Sequence, residues 1–381
     1  MEIEALRGDN SKLVLQQIFN NEKISRAQIS KNLNLNKATV STIFNELEEQ
    51  QLVEKQGEGD STKIGGRKPI MLNINREYGY TIALDMGYDY LDVMLNYFNG
   101  KMISYNRYQL KMNNLTNVLS IIKDNIDFSD NRQTIHGLLG IGISIHGVVD
   151  NNYEITYLPF LDLQGMSVIE ELKKMVNVPI SIENEANLAA VFERDFSKEI
   201  INNLITISIH KGIGAGLIID NELYRGWSGE AGEIGRMLIH SENEIEGNTR
   251  RIEDMCSQDA IINKLKIELK REIELDDVQA LYYQNNASVK KEISYFVHLI
   301  TEVVHNVNVE FNPEIIYLNS PLIEKIPVII DQINDELKKV SSKEVAVRLS
   351  TNVEFSTLLG AMSVITHRIL DMGKIKIKFL I

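Results

Sequence analysis

The chain is 381 residues long and 44% hydrophobic, enough apolar material for two or three domains with buried cores, and its single cysteine, Cys256, excludes an intrachain disulfide or a cysteine-rich zinc site as a staple. A net charge of -13 argues against general nucleic-acid affinity, yet residues 1–76 carry 11 Lys and Arg against 10 Asp and Glu while residues 77–381 carry 29 against 43. A small near-neutral module fused to an acidic one is expected, and the acidic part would repel DNA wherever the module does not present local positive charge. The polar, acidic start MEIEALRGDN and the lack of any run near ~18 uncharged apolar residues point to a cytoplasmic protein with no membrane partner.

In chain order, NSKLVLQQIFNN places Leu15, Ile18 and Phe19 at helical spacing, with Asn10-Ser11 offering a cap. Ser25 and Gln28 form a capping-box pair for a short helix bearing Ile29 and Leu33. Asn36 can cap a third helix, whose Val40, Ile43, Phe44 and Leu47 repeat at i, i+3, i+4, i+7. Its opposite face shows Ala38, Ser41, Thr42, Asn45 and Glu49, mostly short side chains. Such a face can sit deep in a major groove and bond base edges, with Lys37 meeting phosphate; it can equally be the solvated face of a helical hairpin.

The next segment favours DNA. LVEKQ and PIMLNIN read as strands bracketing GEGDSTKIGGRK, a hairpin whose tip carries Lys63, Arg67 and Lys68. Three helices and a basic wing describe a winged helix-turn-helix over residues 1–76, with Lys37, Ser41, Thr42, Asn45, Arg67 and Lys68 as DNA-binding candidates. The Gly65-Gly66-Arg67-Lys68-Pro69 tip can lie flat and carry Arg67 into a narrow A·T-rich minor groove. An ordinary charged turn is the competing reading.

From Tyr80 onward strands and helices alternate. YTIALDMG, LDVMLNYF, KMISYNRYQL and LLGIGISI read as strands around a helix near 115–126. LITISIH, GAGLIID and EIIYLNS read as a second set, with helices near 255–269 and 289–308. An α/β domain over 77–381 follows, with two lobes at 77–200 and 201–381. The glycines of HKGIGAGLIID lie between two strands, so they form neither a Walker A loop nor a dinucleotide fingerprint, both of which open a helix.

Four segments together carry a resemblance: GIGISIHGVVD at 140–150, SIENEANLAAVFE at 181–193, KGIGAGLIIDNELYRGWSGEAGEIG at 211–235 and FNPEIIYL at 311–318. The chain after residue 76 resembles the ROK family of repressors and sugar kinases, and the preceding winged helix resembles its repressor branch. The resemblance implies an actin-like, ribonuclease H-like ATPase fold of two lobes. It also implies polyol contacts at Asn184, Glu185, Glu233 and Glu253, since carboxylates suit vicinal hydroxyl pairs. Arg236 stands where the family usually has a histidine, and could bind a ligand phosphate or carboxylate or neutralise the nearby glutamates.

Several departures from the kinase pattern imply that phosphoryl transfer is lost. The first phosphate loop reads Asp85-Met86-Gly87-Tyr88-Asp89, where Tyr88 adds bulk and Asp89 negative charge. Gly212, Gly214 and Gly216 persist, but the preceding Gly-Thr is His210-Lys211 and a later glycine run is Asn319-Ser320-Pro321. The glycines are read as serving a tight hairpin. The family's catalytic Asp is Glu185, and an added methylene displaces the carboxylate by ~1 Å, costly for a base but not for binding. The zinc cysteines read Glu244, Glu246 and Arg251 beside His240, so no metal and no cofactor are expected.

Trp227 could stack on a sugar face or pack internally, and the tail KIKIKFLI alternates like an edge strand. The expected function is a sugar-responsive repressor of carbohydrate-utilisation genes, with no catalytic residue. Its expected partners are a palindromic, A·T-rich operator and a sugar or sugar phosphate held in a non-catalytic kinase-like cleft. Closure of that cleft would re-space the winged helices of a homodimer or tetramer against half-sites ~34 Å apart. The alternatives are a DNA-binding sugar kinase with residual activity and a regulator set by a docked protein.

Overall fold

The computed structural model describes residue 6 and residues 8–58, 68–240, 249–341, 343–373 and 375–380. Contacts divide the chain into two units, residues 1–184, 195–198 and 358–381 in the first and residues 185–194 and 199–357 in the second. No helix among the described residues is long and apolar enough to cross a membrane.

The first unit begins with a winged helix: α1 (Asp9–Phe19), β1 (Ile24–Ser25), α2 (Arg26–Leu33), α3 (Lys37–Glu49), β2 (Val53–Glu58) and β3 (Ile70–Ile74), with sheet order β1-β3-β2. The capping box is present. Ser25 Oγ accepts from Gln28 N at 3.3 Å, and Gln28 Oε1 accepts from Ser25 N at 2.8 Å. Asn36 Oδ1 accepts from Thr39 N at 2.7 Å and so starts α3 as expected. Helix α1 differs: it starts at Asp9 behind Gly8, with no side-chain cap from Asn10 or Ser11. Val14, Leu15, Ile29, Val40, Phe44, Leu47 and Leu72 meet in the module's core, all fully buried.

After it come β4 (Tyr80–Met86), β5 (Tyr90–Tyr97), β6 (Met102–Gln109), α4 (Leu115–Asn125), β7 (Leu138–Ile145), a small hairpin of β8 (Val148–Val149) and β9 (Ile155–Tyr157), α5 (Val168–Lys173) and β10 (Ile180–Asn184). The sheet order is β10-β7-β4-β5-β6. β4 pairs antiparallel with β5 and β5 with β6, whereas β4–β7 and β7–β10 are parallel. Strand β4 is buried at every position, as a central strand covered on both faces requires.

The second unit takes most of α6 (Glu185–Phe196), then β11 (Leu204–Ile209), β12 (Ile213–Ile219), β13 (Glu222–Tyr224), β14 (Leu238–His240), β15 (Thr249–Arg251), α7 (Glu253–Cys256), α8 (Gln258–Leu269), α9 (Leu275–Tyr283), α10 (Ala287–Phe311), β16 (Ile315–Asn319), α11 (Pro321–Lys325), α12 (Val328–Val340) and β17 (Val347–Leu349). Its sheet order is β13-β12-β11-β16-β17, antiparallel through β11 and parallel beyond it. The long α10 buries Val289, Ile293, Phe296, Ile300, Val303 and Val307 along one stripe. The two mixed, helix-covered sheets are the α/β architecture expected from the alternating segments.

The last helix, α13 (Ser356–Ile369), returns the chain to the first unit. There it lies close over β7, because a Cβ at Gly142 would stand 2.2 Å from the carbonyl oxygen of Ala361. The tail departs from expectation. Residues 375–380 join no sheet, and Ile377, Lys378 and Phe379 are buried in succession, which no edge strand with one wet face would show.

Candidate functional site

Helix α3 buries Val40, Ile43, Phe44 and Leu47 and turns Lys37, Thr42 and Asn45 outward, with Ser41 half-buried at the margin. The four candidates thus occupy the face opposite the core, as a groove-reading helix requires. Lys68 is exposed two residues before β3. Arg67, like Lys63, lies outside the described residues.

In the first unit, the loop after β4 is closed by aromatic rings. Tyr88 is only 9% exposed, its ring centroid 3.8 Å from that of Phe160 and 5.0 Å from that of His146. Tyr90, which sequence reasoning passed over, covers Gly87 so closely that a Cβ there would stand 2.2 Å from its ring. The Tyr90 ring thus fills the space beside Gly87, and the Gly87 amide already donates to the Tyr90 carbonyl at 3.0 Å. Asp89 is exposed and accepts from Gln109 at 3.1 Å.

Asp85 is buried beneath these rings. Tyr90 donates to its Oδ2 at 3.1 Å, and His146 Nε2 lies 3.4 Å from its Oδ1. Burial pushes the Asp85 carboxyl up, but the nearby His146 charge and the Tyr90 hydrogen bond outweigh it and hold the group below the usual carboxylate range. Arg107 closes the network, gripping Asp92 at 2.7 and 2.6 Å while stacking over Tyr90 at 4.3 Å. A phenol and an imidazole thus already engage the carboxylate near the end of β4.

At the end of β10, the Asn184 amide donates to the Gly147 carbonyl at 2.8 Å, which fixes its orientation. No loop intervenes before α6, so Glu185 opens the helix, where the positive end of the helix dipole favours a carboxylate. Glu185 is 8% exposed, and its Oε2 is buried with no hydrogen-bond partner among the described residues.

Glu185, Glu230, Glu233 and Glu253 make one acidic group in the second unit. Burial raises the Glu233 carboxyl above its ordinary value; Arg236 opposes the shift, while Glu253, Glu230 and Glu185 add to it. Arg236 Nε lies 3.0 Å from Glu233 Oε2, and its Nη1 lies 3.7 Å from Glu230 Oε1. Of the two roles open to Arg236, the geometry favours neutralising the glutamates. Glu253 is set by α7 against the hairpin turn: its Oε2 would be 3.1 Å from a Cβ at Gly212 and 2.9 Å from one at Gly235.

The hairpin glycines persist for a reason other than turn conformation. None of Gly212, Gly214 and Gly216 has positive φ. Instead a Cβ at Gly216 would stand 2.2 Å from the carbonyl oxygen of Ala186, and one at Gly214 would stand 3.1 Å from the Ala186 Cβ, so β12 is bare where α6 crosses it. Asn319 is fully buried, with its amide 3.4 Å from Ser208 Oγ and 3.5 Å from His210 Nε2. Ser320 and Pro321 then cap and open α11.

Trp227 is 97% exposed, which rules out internal packing. Glu244 and Glu246 lie outside the described residues, and Arg251 pairs with Glu253 at 3.5 Å. Among the described residues no group of three or more His, Cys, Asp or Glu side chains could hold a metal ion. The thiolates that the resemblance would require for zinc are absent from the sequence.

A model of the ROK family matches residues 81–368, and one of the MarR family matches residues 10–60. The chain is 46% identical over 379 residues to the xylose repressor of Staphylococcus xylosus, with 99% of each chain covered. It is 40% identical to the xylose repressor of Lactiplantibacillus pentosus, covering 98% of this chain and 96% of that one. A crystal structure of a ROK family transcriptional regulator, a homologue of the E. coli Mlc protein, shares the fold with a TM-score of 0.80 at 21% identity over 98% of both chains.

Proposed function

The chain belongs to the ROK family, and from that premise we propose that the acidic group around Glu185 takes a neutral sugar whose occupancy is read out by helix α3 on DNA. The protein is a sugar-responsive transcriptional repressor rather than an enzyme. In this reading residues 1–76 are the DNA-binding domain and residues 77–381 the sensor, cytoplasmic and assembled as a homodimer or tetramer on a palindromic, A·T-rich operator. Lys37, Ser41, Thr42, Asn45, Arg67 and Lys68 contact DNA, whereas Asn184, Glu185, Glu233 and Glu253 contact sugar hydroxyls.

One observation carries the sugar reading: Glu185 presents a buried carboxylate oxygen that no donor among the described residues meets. Leaving such an acceptor unmet costs about 1–3 kcal/mol, which a hydroxyl donor from a ligand recovers. The ligand class follows from charge. Four glutamates face two arginines, Arg236 already engaged by Glu233 and Glu230 and Arg251 paired with Glu253, so a phosphate would meet net negative charge. A neutral pentose or hexose fits, and D-xylose is the first to test because the similar repressors are named for it.

Isothermal titration with D-xylose, D-glucose, N-acetyl-D-glucosamine and D-glucose 6-phosphate tests the reading. A neutral sugar is expected to bind at least tenfold more tightly than the phosphate. Preference for the phosphate, lost in Arg236→Gln, would return Arg236 to a phosphate-binding role. Incubation with ATP, magnesium and each sugar is expected to give no phosphorylated product.

A further inference from the structure

Helix α6 begins at Glu185 in the second unit and ends at Phe196, with residues 195–198 belonging to the first. A helix of this length is a stiff rod of roughly 18 Å, so displacement at one end reaches the other. Its far end is held by the C-terminal tail. Phe379 N donates to the Asp195 carbonyl at 2.9 Å, the Phe379 ring stacks on Phe196 at 5.1 Å, and Lys378 Nζ donates to the Lys198 carbonyl at 3.0 Å. Asp195 itself is fully buried, accepting from Ser363 Oγ at 2.5 Å and lying 3.2 Å from His367 Nε2 on α13.

The tail's other side is held by the winged helix. Asn20, at the end of α1, donates to the Lys376 carbonyl at 3.2 Å and accepts from Lys378 N at 2.7 Å, so one carboxamide pairs with the tail as a neighbouring strand would. Gln16 donates to the same Lys376 carbonyl at 2.9 Å. The Phe19 ring meets Phe379 at 5.9 Å and Phe98 at 5.8 Å, both edge to face.

We propose that residues 375–380 are a transmission strap: they join the end of the sugar-motif helix to the first helix of the DNA-binding module, and sugar occupancy at Glu185 reaches α3 through them. Phe379 is the pivot, meeting Phe19 of α1 edge to face and stacking on Phe196 of α6. The two polar partners on α1 fix the register of the strap, so a shift of the Asp195 and Phe196 end carries α1 with it. The proposal rests on the sugar reading above.

The test uses full-length protein and a DNA duplex selected by the wild-type chain from a random-sequence pool. Sugar affinity is measured by titration calorimetry, and DNA affinity by fluorescence anisotropy with and without 10 mM D-xylose, roughly a saturating level for a micromolar to millimolar site. Gln16→Ala/Asn20→Ala is expected to bind D-xylose within about twofold of wild type and to keep the wild-type circular dichroism. Its sugar-induced change in DNA affinity should fall at least fivefold. Phe379→Leu, which keeps apolar volume but loses the stack, should lie between the two. A wild-type chain whose DNA affinity ignores every sugar tried would overturn the sugar reading and the strap with it. A responsive wild type matched by equally responsive, folded strap variants would overturn the strap alone.

Discussion

The backbone of Gly216 lies directly against the carbonyl of Ala186, one residue after the carboxylate that opens α6: a Cβ at 216 would stand 2.2 Å from that oxygen and 2.6 Å from the Ala190 Cβ. Gly216→Ala must therefore push α6 off β12. Overpacking of this kind costs about 1–3 kcal/mol, and displacing Glu185 should also weaken sugar binding by an order of magnitude or more. Gly212→Ala meets only the Glu253 carboxylate at 3.1 Å, so it should leave urea stability within about 0.5 kcal/mol while reducing sugar affinity. Equal losses of stability from both substitutions would contradict this division.

The aromatic lid over Gly87 leads to a second expectation. Tyr88→Ala removes a ring that is 9% exposed and packed on Phe160, so urea unfolding should show a loss of about 2–4 kcal/mol. A double-mutant cycle with Phe160→Ala should return a coupling of about 0.5–1.5 kcal/mol. ATP with magnesium should leave the melting temperature of wild type and Tyr88→Ala unchanged, because Tyr90 still covers Gly87. A nucleotide-induced rise in either protein would show that the rings do not close the seat.

Much of this was legible in local sequence and some was not, for identifiable reasons. The Ser25–Gln28 box and the Asn36 cap are contacts over three residues, so spacing reveals them. The glycines of β12 are visible as a pattern, but their cause, the close crossing of α6, is a contact between distant segments that the pattern does not name. KIKIKFLI alternates as an edge strand would, yet Lys378 is buried along with Ile377 and Phe379 because α1 and α6 cover the tail from two sides. Tyr90 carried no motif; only its fold over Gly87 marks it.

On DNA, the outward face of α3 separates two kinds of contact. Asn45→Ala should relax preference at one base position by about 1–3 kcal/mol while leaving affinity for random duplex unchanged. Lys37→Ala should weaken binding to all sequences alike and lower the slope of log affinity against log salt by about one. Arg67→Ala should act chiefly at A·T-rich flanks. Anisotropy titrations over a salt series with site variants check all three, and identical loss profiles for Asn45 and Lys37 would contradict the assigned roles.

Stability should depend on pH through Glu193, near the end of α6. Its carboxylate is 1% exposed and accepts from Ser350 Oγ at 2.5 Å and Thr351 N at 3.2 Å. Burial pushes its pKa from 4.5 up to about 7, against the pull of the Ser350 and Thr351 hydrogen bonds. Because the folded value lies above the unfolded one, the contribution to stability is complete below pH 4.5 and is lost as pH rises through about 7. The full shift corresponds to at most about 3 kcal/mol. Glu193→Gln keeps an oxygen to accept from Ser350 and Thr351 but has no proton to lose. In urea titrations from pH 4 to pH 8, the wild type should lose stability relative to this variant by as much as that amount, most steeply between about pH 5 and 7, where the unfolded carboxyl is ionised and the folded one is not, and level off above that. Parallel profiles for the two proteins would mean that Glu193 is already ionised when folded at pH 5 and that its hydrogen bonds outweigh its burial.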